Sequence, residues 1–416
     1  MTSKASNKLD VDYVRTCFPT FSEPLAAKTA FFDNAGGSYV LGSVLDKLVH
    51  FYRVNKVQPY GASEIAHHAG EQMDAGRKTI VDLLGMPAGT ITLGPSTTQN
   101  INTLALACTA IVDENSEVIV TEQDHESNIG AWERLCERSS ATLRIWEVDP
   151  QSGELDVADF QAMLNPAVKI VCMTHSSNIL GSINPIEEVI ELCRENGSRI
   201  LLDGVSYVPH QWPNLSIFQP DAYCFSTYKT YATHLGVMYV ADDFVQELDP
   251  QCHYFNTEFA GKRFDAAGPD HAAIAALAGL REYFEQSHYH HFGKSRVSLK
   301  KKVNQLSGLM HKHETELCEL LLSGLEDLPI RIIGKKTIKW REANIALVSE
   351  KHTPKQLNEA LAKKDIAASH GHFYAKRLLD KLGLIEAHGG VLRISLAHYN
   401  TREEVMRLVE TLQDLY

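Results

Sequence analysis

The chain has no surplus of positive charge: 40 lysines and arginines stand against 52 aspartates and glutamates, for a formal net charge of −12. Without a broad positive field nothing holds a phosphate backbone or an anionic lipid surface, which argues against nucleic-acid and membrane partners. No stretch reaches the roughly 18 consecutive apolar residues of a membrane span. The opening MTSKASNKLD is polar with no apolar core, so a cytoplasmic protein is expected. The eight cysteines include no Cys-x-x-Cys pair and fall mostly inside apolar periodic stretches. That pattern argues against a disulfide scaffold and a structural zinc site, and reads as reduced core thiols. There is no internal repeat and no low-complexity linker. His288-Tyr-His-His291 lacks carboxylates or cysteines at ligand spacing and reads as a solvated helix end, so no metal is expected.

What the chain does have is length. At 416 residues it exceeds one small domain and suits two packed cores. From about residue 77 to 240, strand-like apolar runs alternate with segments of helical period, the signature of an α/β domain with a mostly parallel sheet. The strand candidates are Glu117 to Thr121, Leu143 to Val148, Lys169 to Thr174, Arg199 to Asp203, Ala222 to Ser226 and Val237 to Val240. Pro185 to Asn196, closed by Gly197, reads as a crossover helix. After residue 290 the pattern becomes α+β. Arg331 to Ile333, Ala343 to Val348 and Val391 to Leu396 are strands, while Thr353-Pro-Lys-Gln356 and Thr401-Arg-Glu-Glu404 open capped helices. Ser295 to Leu325 reads as a long connecting helix whose Lys300-Lys-Lys302 run is a solvated face. Three segments are expected: residues 1–30 packing with a small domain, a large α/β domain over 31–290, and a small α+β domain over 291–416.

The chemistry concentrates at predicted strand ends. Lys229 lies in Phe225-Ser-Thr-Tyr-Lys-Thr-Tyr, a polar loop leaving one strand for the carboxyl edge, where open α/β folds place ligands. By itself it is also readable as an ordinary surface lysine. Asp203 ends Arg199-Ile-Leu-Leu-Asp203, and a carboxylate after three apolar residues is expensive unless a cation meets it. A pyridinium nitrogen would serve; so would the plain reading of a helix cap before Gly204. In Gly94-Pro-Ser-Thr-Thr-Gln99, Ser96 and Gln99 fit a capping box at a helix spanning Thr97 to Ile111, giving either an anion site or a plain N-cap. His125, in Asp124-His-Glu-Ser-Asn, is placed either to lie on an aromatic cofactor and move protons or to be a loop histidine.

Taken together and in this order, these motifs resemble the cysteine desulfurase branch of the class V aminotransferases, from Phe32 to the C-terminus. The resemblance implies fold type I: a large domain with a mostly parallel, seven-stranded-type sheet and a smaller C-terminal α+β domain. It implies pyridoxal 5'-phosphate (PLP) as cofactor, covalently held by Lys229, with Asp203 on the pyridine nitrogen and His125 stacked on the ring. Thr97, Thr98 and Ser226 fall on the family's phosphate ligands. Thr174-His-Ser-Ser-Asn-Ile-Leu-Gly181 places Asn178 near the substrate carboxylate or cofactor hydroxyl, and Arg393 falls on the carboxylate-clamping arginine. A homodimer with shared sites is implied, with Tyr60-Gly-Ala and Gly268 as its candidates.

Several positions depart from the family pattern. Ser206 stands where many relatives have glutamine, Tyr228 where they have histidine, Ser369 where an arginine is common, and Gly268 in place of a phosphate-touching threonine. Desulfurases carry a mobile cysteine in a loop before the last strand; here that loop is Ala368-Ser-His-Gly-His-Phe-Tyr-Ala375, with Tyr374 at about that position. No cysteine follows Cys318. A persulfide-forming desulfurase is therefore not expected. The resemblance implies attack on an amino acid, with β-elimination from a cysteine-derived substrate ahead of transamination or epimerisation, and a PLP-binding protein without turnover as the rival of another class. His370, His372 and Tyr374 are the candidates for setting substrate selectivity, unless the loop is simply a lid.

Overall fold

The computed structural model describes residues 8–86 and 88–416. Its centre is a seven-stranded sheet: β1 (Gly89–Gly94), β2 (Glu117–Thr121), β3 (Thr142–Trp146), β4 (Val168–Thr174), β5 (Arg199–Asp203), β6 (Ala222–Ser226) and β7 (Gly236–Ala241). The order is β1-β7-β6-β5-β4-β2-β3, parallel throughout except at β7, which runs antiparallel to both its neighbours. The middle strands are apolar on both faces because helices cover both, as parallel sheets require. Helix α1 (Glu64–Leu84) contributes Met73, Ile80 and Leu83 to the core on one side, and α2 (Thr97–Ala107) contributes Ile101 and Leu104 to the other. The crossover helix α3 (Ile186–Asn196) buries Ile186, Val189, Ile190 and Cys193 and ends on Gly197 in the left-handed region.

A second, four-stranded sheet has the order β10-β11-β9-β8, all antiparallel: β8 (Ile330–Ile333), β9 (Asn344–Ser349), β10 (Ser369–Gly371) and β11 (Val391–Ser395). Helices α4 (Leu299–Leu325), α5 (Pro354–Ala362) and α6 (Arg402–Gln413) cover it, the last two opened by complete capping boxes at Thr353 and Thr401. Ala30–Phe31 pairs in parallel with Ile366–Ala367, tying the early chain to this layer. Residues 1–7, within the early segment expected to pack there, lie outside the described residues.

Two expectations fail. Lys300 does not belong to a solvated face: its Nζ donates to the carbonyls of Leu83, Trp212 and Pro213 at 2.8–3.0 Å, so the charge is satisfied by three backbone oxygens. The histidine cluster is not a solvated end either. His288 and His291 are buried, His291 Nε2 accepts from the Asp10 amide at 2.9 Å, and His290 bonds Asp10 Oδ2 at 2.8 Å while stacking on Tyr13. The cluster is an anchor for the early chain, and among the described residues no group of histidine, cysteine and carboxylate is arranged to hold a metal.

Candidate active site

Parallel pairing of β5 with β6 sets their carboxyl ends side by side, Asp203 opposite Cys224. Asp203 is the last residue of β5, and Lys229 ends the short turn Thr227–Lys229 directly after β6. His125 follows β2, and Thr174 closes β4. The start of α2 reaches the same edge because Gly94 pairs with Gly236. There the Thr97 and Ser226 hydroxyls lie 2.7 Å apart. Half of the expected capping box forms: Ser96 Oγ accepts from the Gln99 amide at 3.1 Å, with no reciprocal bond from Gln99.

Thr97, Thr98, His125, Asn178, Asp203, Ser206, Ser226, Tyr228 and Lys229 all line one cleft of about 200 Å³. Burial dominates its electrostatics. It lowers the Lys229 amine to about 8, helped by Arg393 and opposed by Asp203 and Asp33. Burial raises the Asp203 carboxyl to about 6 against the pull of the Val205 amide, 2.8 Å from Oδ1, and of Lys229. His125 is held neutral, down at about 4, by burial and then by Lys229 and Arg393. Its Nδ1 accepts from the Ser127 amide at 3.1 Å, which fixes the plane of the ring. Asp124 is lifted by burial to about 8, opposed by bonds from Thr121 and from Asn128 Nδ2 at 2.7 Å.

Arg393 is buried beside this cleft. One guanidinium nitrogen donates to the Asn178 carbonyl at 3.2 Å, another pairs with Asp33 Oδ1 at 3.3 Å, and Nε has no partner. The Phe373 ring lies on the guanidinium, 3.9 Å from carbon to centroid. The loop carrying Phe373 is tied down at both sides: Asn178 Nδ2 donates to the Phe373 carbonyl at 2.9 Å and the Glu126 amide to the Tyr374 carbonyl at 2.7 Å. Tyr374 thereby sits over His125, ring centroids 5.2 Å apart. Phe373 and Tyr374 both have positive φ, 48° and 58°, a cost that these carbonyl bonds offset.

Other predicted residues lie elsewhere. His370 faces Asn358 of α5 at 3.2 Å, and His372 accepts from the Tyr374 amide at 3.1 Å, bracing the loop from outside. Gly268, expected to reach the site of a partner subunit, does not line this chain's own cleft, and open space surrounds the place a side chain would take. Residues not singled out in the sequence also contribute. Asp33 neutralises Arg393 and accepts from Ser369 Oγ at 2.5 Å, so the serine in place of the family's arginine serves that carboxylate. His234 stacks on Tyr228 with centroids 4.3 Å apart. The Gly36-Gly37 pair beside Asp33 was the one local signal for that turn.

Comparison with known proteins bears on this arrangement. The Aminotransferase class-V family matches residues 30–408. An aminotransferase-like protein of Gibberella zeae, FGM3, is 29% identical over 98% of this chain and 99% of its own. A cysteine desulfurase of Escherichia coli is 28% identical over 98% of both chains. In fold, the apo cysteine desulfurase of Thermococcus onnurineus superposes with a TM-score of 0.86 at 22% identity, covering 99% of each chain. The chain therefore belongs to the class V aminotransferase family of PLP-dependent enzymes.

Proposed function

We propose that this cleft binds PLP through Lys229 and eliminates a sulfur leaving group from the β-carbon of a cysteine-derived amino acid. The donor set suits the cofactor. Asp203 commits one oxygen to the Val205 amide and keeps the other for a pyridinium nitrogen. The paired Thr97 and Ser226 hydroxyls, with the amides opening α2, suit a phosphate. His125 turns its ring rather than a charge to the cleft. When bound, PLP supplies an electron sink for the pair left at Cα. With an amine lowered to about 8, Lys229 is partly neutral near physiological pH; Nζ takes the Cα proton and returns one to the departing sulfur. Arg393, through its unpartnered Nε and a terminal N–H exchanged from Asp33, holds the substrate carboxylate in the plane of the guanidinium.

One observation carries the choice of reaction. Among the described residues no cysteine lines the cleft, and the loop lying on His125 presents Tyr374 where a desulfurase would present its thiol. Sulfur then has no acceptor on the protein and is released to solution as the free sulfide or thiol. The test is an absorbance spectrum of purified protein beside Lys229→Ala, before and after adding cysteine and its S-conjugates. A visible cofactor band only in the parent protein, with a keto acid formed from one of these substrates, is the expected result; no band after PLP is supplied would overturn the reading.

The same reading makes the protein a homodimer in the cytoplasm. Tyr254, Phe255 and Phe259 expose 87%, 62% and 58% of their surface on one segment preceding Gly268, and a second copy would cover them. Sedimentation equilibrium tests this: a species of 46.3 kDa at micromolar concentration contradicts it.

A further inference from the structure

Lys229 also borders a second, smaller cavity of about 20 Å³, shared with Ser176, His210 and Asn344. That volume admits one water. Ser176 Oγ and Asn344 Oδ1 are buried without a hydrogen-bond partner, and their residues are only 1% and 3% exposed. Two stranded polar atoms beside an amine are the partners a water needs. The His210 ring lines the cavity and bonds Glu314 Oε2 through Nδ1 at 2.7 Å, and Nε2 is the ring nitrogen that bond leaves for a water.

Beyond His210 the buried groups continue outward. Glu314 and Glu342 are each 1% exposed, and each keeps one carboxylate oxygen without a partner. Gln211 Nε2 donates to Glu342 Oε1 at 3.1 Å, which leaves Oε2 facing His311 Nδ1 at 3.9 Å. The His311 side chain is 39% exposed and meets solvent. Neighbouring groups are already engaged: the Tyr231 hydroxyl donates to the Pro209 carbonyl at 2.7 Å and lies 3.1 Å from His398 Nδ1.

We propose that these groups form a proton relay, from solvent at His311 through Glu342 and the Glu314–His210 pair to a water held beside Lys229. It rests on the reading of Lys229 as the group that takes the Cα proton. No electrons move. Outward, from the neutral ring that carries its proton on Nδ1, protonated Lys229 gives one proton to the water as the water gives one to His210 Nε2; Nδ1 releases its own to Glu314, which passes a proton on to Glu342 and from there to His311. Inward, the same bonds are made and broken in reverse. Burial pulls His210 down, but Glu314 outweighs it and lifts the ring to about 9, so near neutral pH the outward step uses the neutral minority of the ring; Lys229 is lowered by burial to about 8 and Glu342 raised by burial to about 7. The relay lets Lys229 exchange its proton while the Phe373–Tyr374 loop covers the cleft.

The test is solvent deuterium exchange at Cα of an added amino acid, on PLP-loaded protein in heavy water. Glu314→Gln is expected to slow exchange by about 10- to 100-fold, with the cofactor band and Tm kept, and Glu314→Asp to restore part of it. Exchange within about twofold of the parent, with the band intact, overturns the relay. If Glu314→Gln fails to fold, Ser176→Ala, which removes one wall hydroxyl, decides on the same criterion. A high-resolution crystal structure gives a second readout: water bonded to Ser176, Asn344 and His210 supports the relay, and a dry cavity refutes it. A parent protein without the band sinks the cofactor reading, which is thereby distinguished from failure of the relay.

Discussion

Asp203 sits in a place that opposes its charge. Its carboxyl is raised from 3.8 to about 6, so the folded chain holds the proton more tightly than the unfolded one. Stability from that proton is full below about pH 4 and is lost as pH rises through about 6. Above pH 7 the ionised group destabilises cofactor-free protein until a cation meets it. Asp203→Asn is expected to stabilise the cofactor-free protein at pH 8 by up to about 3 kcal/mol while abolishing PLP retention. A lower Tm for the variant would contradict this account. Arg393→Gln removes the partner of Asp33 and the proposed carboxylate clamp together. Its kcat/KM is expected to fall by about 2–5 kcal/mol, chiefly through KM, with the cofactor spectrum intact. Asp203 was legible because it closes an apolar run at a strand end, and Lys229 through the resemblance of its polar loop, together with the motifs before it, to the family pattern. Asp33 was not, since its partner lies 360 positions away and nothing local marks the pairing. Lys300 looked solvated for a similar reason: three carbonyls from two distant segments meet it, and a charge run carries no trace of them.

The start of α2 depends on a residue of β7. A Cβ on Gly236 would stand 2.3 Å from the Ser96 carbonyl carbon and 2.4 Å from the Thr97 nitrogen. Both are backbone, so neither yields. Gly236→Ala is expected to cost about 1–3 kcal/mol by overpacking and to weaken PLP binding further, because the amides proposed to hold the phosphate would move. Retention of parental PLP affinity would show that this helix start is not the phosphate site. The loop from Ser369 to Ala375 answers to different forces. Tyr374 is 66% exposed, so Tyr374→Ala is expected to leave Tm within about 0.5 kcal/mol-equivalent of the parent while shifting KM among S-conjugates. Uniform loss across substrates would argue for a lid without selectivity. The central strands were legible from apolar runs between turn signals. In the two larger sheets two strands were not: β1 and β10 gain their structure from partners, β10 in particular, as Ser-His-Gly pairs with Val391 to Arg393 despite little strand propensity.

At the scale of the whole molecule, two sheets share the work. The seven-stranded sheet carries Lys229, Asp203 and His125 at its carboxyl edge, while the four-stranded sheet brings Arg393 on β11 and the Phe373–Tyr374 loop beside that cleft, against Asn178 and His125. The fold was readable from the alternation of strand and helix; the meeting of the two layers at Arg393, Asp33 and Phe373 was not, because it is made of contacts long in sequence. The proposed elimination rests on that meeting, since there Tyr374 lies over His125 where the proposal leaves no sulfur acceptor. The most direct measurement is therefore the three-carbon product formed from cysteine or an S-conjugate by PLP-loaded protein. Elimination predicts pyruvate and ammonia, with all sulfur released in solution and none gained in the mass of the protein. Alanine with sulfur retained on the chain, or a keto acid that still carries its sulfur, would contradict the account.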